Sequence, residues 1–308
     1  MSDWGKGVNN DIGWGQGGTN DIGWGSIYDK SNAGETLLKS DLNIDAFIIE
    51  VKTDETGTSN DNQFQFTGAL GDCDVIAKQN DIIVQVFNNL SDEETITFAN
   101  GAGTYILEVK AKEVDGFTGM RFNNSGDNEK ITKNLQWGIF NDTRQGLFFG
   151  CGNLTEIGND VNWLNSITNG YQMFRDCDRI SLPSGMTLNN LTHGDRMFAN
   201  ASLTSLPSAL TLNSLTDGSL MFYNCSLTSL PSGMTLDNLE NGDNMFTNNT
   251  INTERYSQLL VDMAAGNNNT NVPFHGGSSK YNDAGEVARN SLADAAGRNW
   301  SFTDGGKE

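Results

Sequence analysis

The pair Met-Phe recurs at Met173-Phe174, Met197-Phe198, Met221-Phe222 and Met245-Phe246, and this constant interval limits what the chain can fold into. Between the pairs the text repeats as LPSGMTLNNL at 182–191, LPSALTLNSL at 206–215 and LPSGMTLDNL at 230–239. A unit this short cannot bury its own apolar face, but stacked copies can. The spacing therefore predicts a short solenoid over 146–252. Letters kept among copies are expected to point inward: Met-Phe, the Leu before each Pro, Met186, Leu210 and Met234, and the leucine pair after each of them. Letters that change are expected to face solvent. His193, Asp217 and Asn241 share one register position, and Arg175, Ala199 and Tyr223 share another. Arg175, Asp195, Asp217, Tyr223 and Asn224 are the candidate exposed binding face. Pro183, Pro207 and Pro231 fix the chain direction and deny a backbone donor there.

The flanks read differently. Repeats of this length with leucine at regular places belong to leucine-rich repeats. Such an array needs a cap, and Tyr256, Leu259, Leu260 and Met263 have helical spacing ended by Gly266. A second helix is expected over 284–296, then a short strand at Trp300-Ser301-Phe302, so 253–308 reads as a helical C-terminal cap. Upstream, FIIEV (47–51), DIIVQVF (81–87), ETITF (94–98) and TYILEV (104–109) are β-branched and aromatic, with turn-prone clusters between them. That pattern predicts a β-sandwich-like domain over 40–145. The fold class is mainly β with an α cap.

The first residues carry a second repeat, WGKGVNNDIG, WGQGGTNDIG and WGS. Trp4, Trp14 and Trp24 fall ten apart, and Ile12 and Ile22 each precede a Trp by two positions. Glycine-rich chain opposes autonomous folding, whereas regularly spaced indoles suit docking into grooves of another protein. Residues 1–30 are therefore expected to be an extended docking segment. Gly13, Gly15 and Gly18 match a dinucleotide fingerprint, but no strand-to-helix context surrounds them. The Asn-Asp-Ile-Gly runs lack the carboxylate spacing of a calcium loop.

Charge and composition narrow the function. A net charge of −20 with sparse, scattered Lys and Arg disfavours nucleic acid and anionic membrane as partners. No stretch approaches the roughly 20 apolar residues of a membrane span, and the start has no secretory signal pattern. Export is therefore expected to depend on some other carrier. Four cysteines do not make a disulfide framework. Cys177 and Cys225, two repeats apart, would lie roughly 10 Å from each other, beyond bridging distance. Cys151 and Cys177 fall in adjacent repeats, so that pairing is open. The only histidines, His193 and His275, sit in no nucleophile, metal or phosphate motif. The abundant carboxylates read as a solvated acidic surface. No catalytic residue, metal site or cofactor is expected.

Residues 47–66 (FIIEVKTDETGTSNDNQFQF) resemble the opening of the β-domain in BspA-like leucine-rich-repeat surface proteins. Gly103-Thr104-Tyr105, RFNNSGDNEKIT (121–132), Gln136-Trp137-Gly138, FFGCGNLT (148–155) and the LTSLPSGMTL units are similar to the passage into their repeats and the repeats themselves. The likeness spans most of 45–252. It departs at Val51, where the family often has Trp, and in lacking a Trp-Gly-Asp-Gly turn soon after. Members of that family are adhesin-like or of unknown function, so the resemblance implies a surface-exposed protein, on bacteria or in phage virions. The Trp-Gly start is similar to N-termini of virion proteins from Bacteroidetes-infecting, crAss-like phages.

The resulting expectation is a non-enzymatic virion protein, a tail fibre, appendage or decoration protein made in the host cytoplasm. Residues 1–25 would dock on other virion proteins, and the repeats would face a host-surface glycan or protein. The alternatives are a purely structural virion component and a bacterial surface adhesin. Virion fibres are often trimers, although no heptad pattern here demands one.

Overall fold

Short β-branched and aromatic runs alternate along the first part of the chain, and alternation with period two gives each strand one buried face. The computed structural model describes residues 46–67, 71, 73–91, 93–112, 119–138, 140 and 145–308. All belong to one unit, Lys39–Glu308. Trp4, Ile12, Trp14, Ile22 and Trp24 lie outside the described residues. The described chain is mainly β with few helices.

The strands are β1 (Phe47–Lys52), β2 (Gln63–Gln65), β3 (Cys73–Gln79), β4 (Ile82–Leu90), β5 (Thr95–Thr97), β6 (Thr104–Ala111) and β7 (Ile131–Gln136). An antiparallel five-stranded sheet has the order β4-β3-β6-β1-β7, and β2 pairs with β5 in a separate ribbon. Ile49 opposes Leu107 and Val75 opposes Val109, so one face presents Phe47, Ile49, Val51, Val75, Ala77, Leu107 and Val109 to the core. Phe64, Phe66, Ile96 and Phe98 reach the same core from the ribbon side, where the Phe98 ring stacks on Tyr105 at 3.9 Å. Sequence reading missed β2, β3 and β7. In β3 the polar Asp74, Lys78 and Gln79 mask the alternation. Asn80 and Asp81 (φ 51° and 63°) make the two-residue turn into β4, a conformation that Asn and Asp tolerate.

A buried polar knot ties the loop before β2 to the turn that leads into β7. The Asp127 carboxylate accepts hydrogen bonds from the backbone N–H groups of Thr58 (2.9 Å), Ser59 (3.0 Å) and Gln65 (2.7 Å). The Lys130 ammonium donates to the carbonyls of Ser59, Asn60 and Gln63 and to the Ser59 hydroxyl. Both side chains are fully buried, and burial pulls the lysine below its ordinary pKa.

Strand β7 has a second role. On one edge it pairs with β1. On the other, Asn134 N–H donates to the Glu156 carbonyl (3.0 Å) and Thr155 N–H to the Thr132 carbonyl (2.9 Å). The repeats thus continue the sheet by hydrogen bonding along the outer edge of β7.

Within the repeats each layer donates to the next. Gly170, Gln172, Phe174 and Asp176 N–H bond the carbonyls of His193, Asp195, Met197 and Ala199 at 2.8–3.1 Å. The same positions one and two repeats later, Gly194 to Asn200 and Gly218 to Asn224, show the same pattern. Phe148, Phe174, Phe198, Phe222 and Phe246 form a column with centroid spacings of 5.9, 5.7, 5.7 and 5.5 Å, nearly parallel from Phe174 onward. At Gly170 an added Cβ would lie 2.6 Å from the Met197 sulfur of the next layer, so that buried side chain would have to shift to admit it. Cys177 and Cys225 thiols donate to the Phe148 and Phe198 carbonyls, and Asn249 does the same to Phe222. Cys151, Cys177 and Cys225 are buried and unbridged, which settles the open pairing of Cys151 with Cys177.

The leucines before the prolines point inward as expected: Leu182 and Leu206 are half-buried and packed against the core, and Leu230 is buried in it. Two expectations are corrected. Ala199 is buried rather than solvent-facing, since its small side chain is shaded by the layers that carry Arg175 and Tyr223. The second concerns the C-terminus. Helix α1 (Asn162–Ser166) sits in the first repeat, and α2 (Thr253–Gly266) and α3 (Asp283–Ala293) follow the last Met-Phe pair. Asn252 and Asn282 cap α2 and α3 by accepting from Arg255 and Gly285 N–H. Yet 253–308 does more than cover the end. Strand β8 (Pro273–His275) receives Gly242 and Phe246 N–H, and β9 (Ser301–Thr303) pairs with β8 in parallel. Phe274 and Phe302 extend the ring column at 6.1 and 5.9 Å, turned edge-on. Two further layers are added, each with a helix on its return path.

Candidate binding face

Ladder segments 169–176, 193–200, 217–224 and 241–248 carry the changing side chains, because their alternate residues cannot enter the core. The parallel bridges Asn169↔His193, His193↔Asp217 and Asp217↔Asn241 put one varying position in line along the column. Asp176, Asn200, Asn224 and Asn248 follow in another line, all left-handed (φ 57–62°). At such sites Asn and Asp are the favoured non-glycine residues. Their side chains link up, Asn200 to Asp176 at 2.6 Å and Asn224 to Asn200 at 3.1 Å.

The five residues singled out from sequence all lie on these segments. Asn224 is exposed, and Arg175, Asp195, Asp217 and Tyr223 are half-buried. The Arg175 guanidinium lies 4.7 Å over the Phe149 ring and 3.4 Å from the Asp176 carboxylate. Asp195 accepts from Arg196 at 2.6 Å through one oxygen, while its other oxygen is buried without a partner. Burial pushes the Asp195 carboxyl up, Arg196 offsets part of that, and the nearby Asp217 adds to the rise. Asp217 accepts from Ser219 N–H at 3.1 Å, so its carboxylate also shapes the backbone.

Sequence reading missed the residues beside this face. An open hollow of about 440 Å³ is lined by Glu129, Asn153, Asp176, Asp178, Arg179 and Asn200. Burial, then Asp178, raise the Glu129 carboxyl above its ordinary pKa. Glu129 belongs to the short 3-10 turn Asn128–Lys130 ahead of β7, and only the shared strand brings it to the first repeat. The one available signal was that Asp178 stands where later repeats have Ser202 and Ser226. A second hollow of about 360 Å³ lies between Thr155, Glu156, Ser181 and Pro183.

Chemically the face offers amides, carboxylates, two arginines and two tyrosines on a hydrogen-bonded ladder. Such groups suit hydrogen-bonding and stacking to a polar ligand. Among the described residues, no group of three His, Cys, Asp or Glu is placed to hold a metal ion. No described helix is long and apolar enough to cross a membrane. No family model, curated protein or solved structure matches the chain.

Proposed function

We propose that this chain is a non-enzymatic virion protein whose leucine-rich-repeat solenoid carries a host-binding face. One observation carries the reading: changing polar side chains stand in register on a column whose buried Met-Phe pair recurs in each layer. That arrangement separates fold from recognition, as binding solenoids do. The ligand is a host-surface glycan or protein held along the ladder by Arg175, Asp195, Asp217, Tyr223 and Asn224. Residues 1–25, with Trp4, Ile12, Trp14, Ile22 and Trp24, dock the chain on other virion proteins.

The test is binding of the fluorescently labelled full chain to host cells. Tyr223→Ala and Arg175→Ala should each weaken binding about tenfold or more, as loss of an aromatic or arginine anchor does. Ser208→Ala and Ser232→Ala, exposed on the turns after the prolines, should leave it unchanged. Equal effects from both sets would reject the ladder as the binding face. No binding by the unaltered chain would leave a structural virion role.

A further inference from the structure

We draw no further inference here: the strongest candidate, the side-chain cluster of Glu129, Asp176 and Asp178 in the hollow where the turn ahead of β7 meets the first repeats, rests on its carboxylates alone, and no second feature among the described residues points to a ligand there.

Discussion

Phe198 is the middle ring of the column, and its removal measures how far the layers depend on one another. The side chain is fully buried and stacked 5.7 Å from Phe174 on one side and 5.7 Å from Phe222 on the other. Truncating a buried Phe to Ala typically costs about 3–5 kcal/mol through lost burial and a residual cavity. Each stacked pair adds about 0.5–1.5 kcal/mol beyond area. The flanking rings are fixed by ladder hydrogen bonds on both sides, so the gap cannot collapse, which puts Phe198→Ala near the upper end, about 5 kcal/mol. Phe302 makes the comparison. It is half-buried in the last layer, edge-on to Phe274, with Arg289 4.9 Å from its ring. Phe302→Ala should cost about 1–2 kcal/mol, since a partly exposed ring has less burial to lose. Phe198→Leu, which keeps most of the volume, should fall between them. Urea titrations followed by far-ultraviolet circular dichroism give all three values. Equal losses at 198 and 302, or a loss under about 1.5 kcal/mol at 198, would refute the idea of a column stabilised through its layer interfaces.

Asp127→Asn should destabilise by about 3–5 kcal/mol, because it leaves buried Lys130 without its counter-charge and turns an amide donor toward backbone N–H groups. Thermal unfolding reads that loss, and a shift in melting temperature within error would contradict it. Ala201 occupies the place where Cys177, Cys225 and Asn249 donate to the preceding Phe carbonyl, so Ala201→Cys should stabilise by about 0.5–1 kcal/mol. A lower urea midpoint would show that this layer has no room for the thiol. Burial raises the Cys225 thiol from 9.0 to about 12. A folded-state pKa above the unfolded one gives stability that is complete below pH 9.0 and is lost as pH climbs toward about 12. Cys225→Ala should flatten that decline, and a profile identical to the unaltered chain would exclude the thiol as its source.

The repeats were legible because near-identical text at a fixed interval reflects near-identical surroundings. The two layers after them were not, since Phe274 and Phe302 depart from that interval, with helices α2 and α3 inserted and no shared wording. Their place in the column appears only through the ladder from Gly242 and the rings beside Phe246. The knot of Asp127 and Lys130 joins groups far apart along the chain, and nothing local in NNSGDNEK announces it. For the candidate face, variation among repeats pointed to the ladder segments but did not set exposure. Arg175 and Ala199 share a position, yet one is half-buried and the other closed off, because neighbouring layers decide what reaches solvent. The hollow beside Asp178 was hidden for a related reason, since Glu129 reaches it only through a strand shared between sheet and repeats.

Whether the chain is borne on a particle is decided most directly by where it is found. Quantitative mass spectrometry of gradient-purified phage particles, from the culture that carries this gene, gives that answer. Its peptides are expected at fixed stoichiometry to the major virion proteins, with loss from the particles when residues 1–25 are deleted. Peptides confined to the cell-envelope fraction and absent from particles would contradict the virion role and indicate a bacterial surface adhesin.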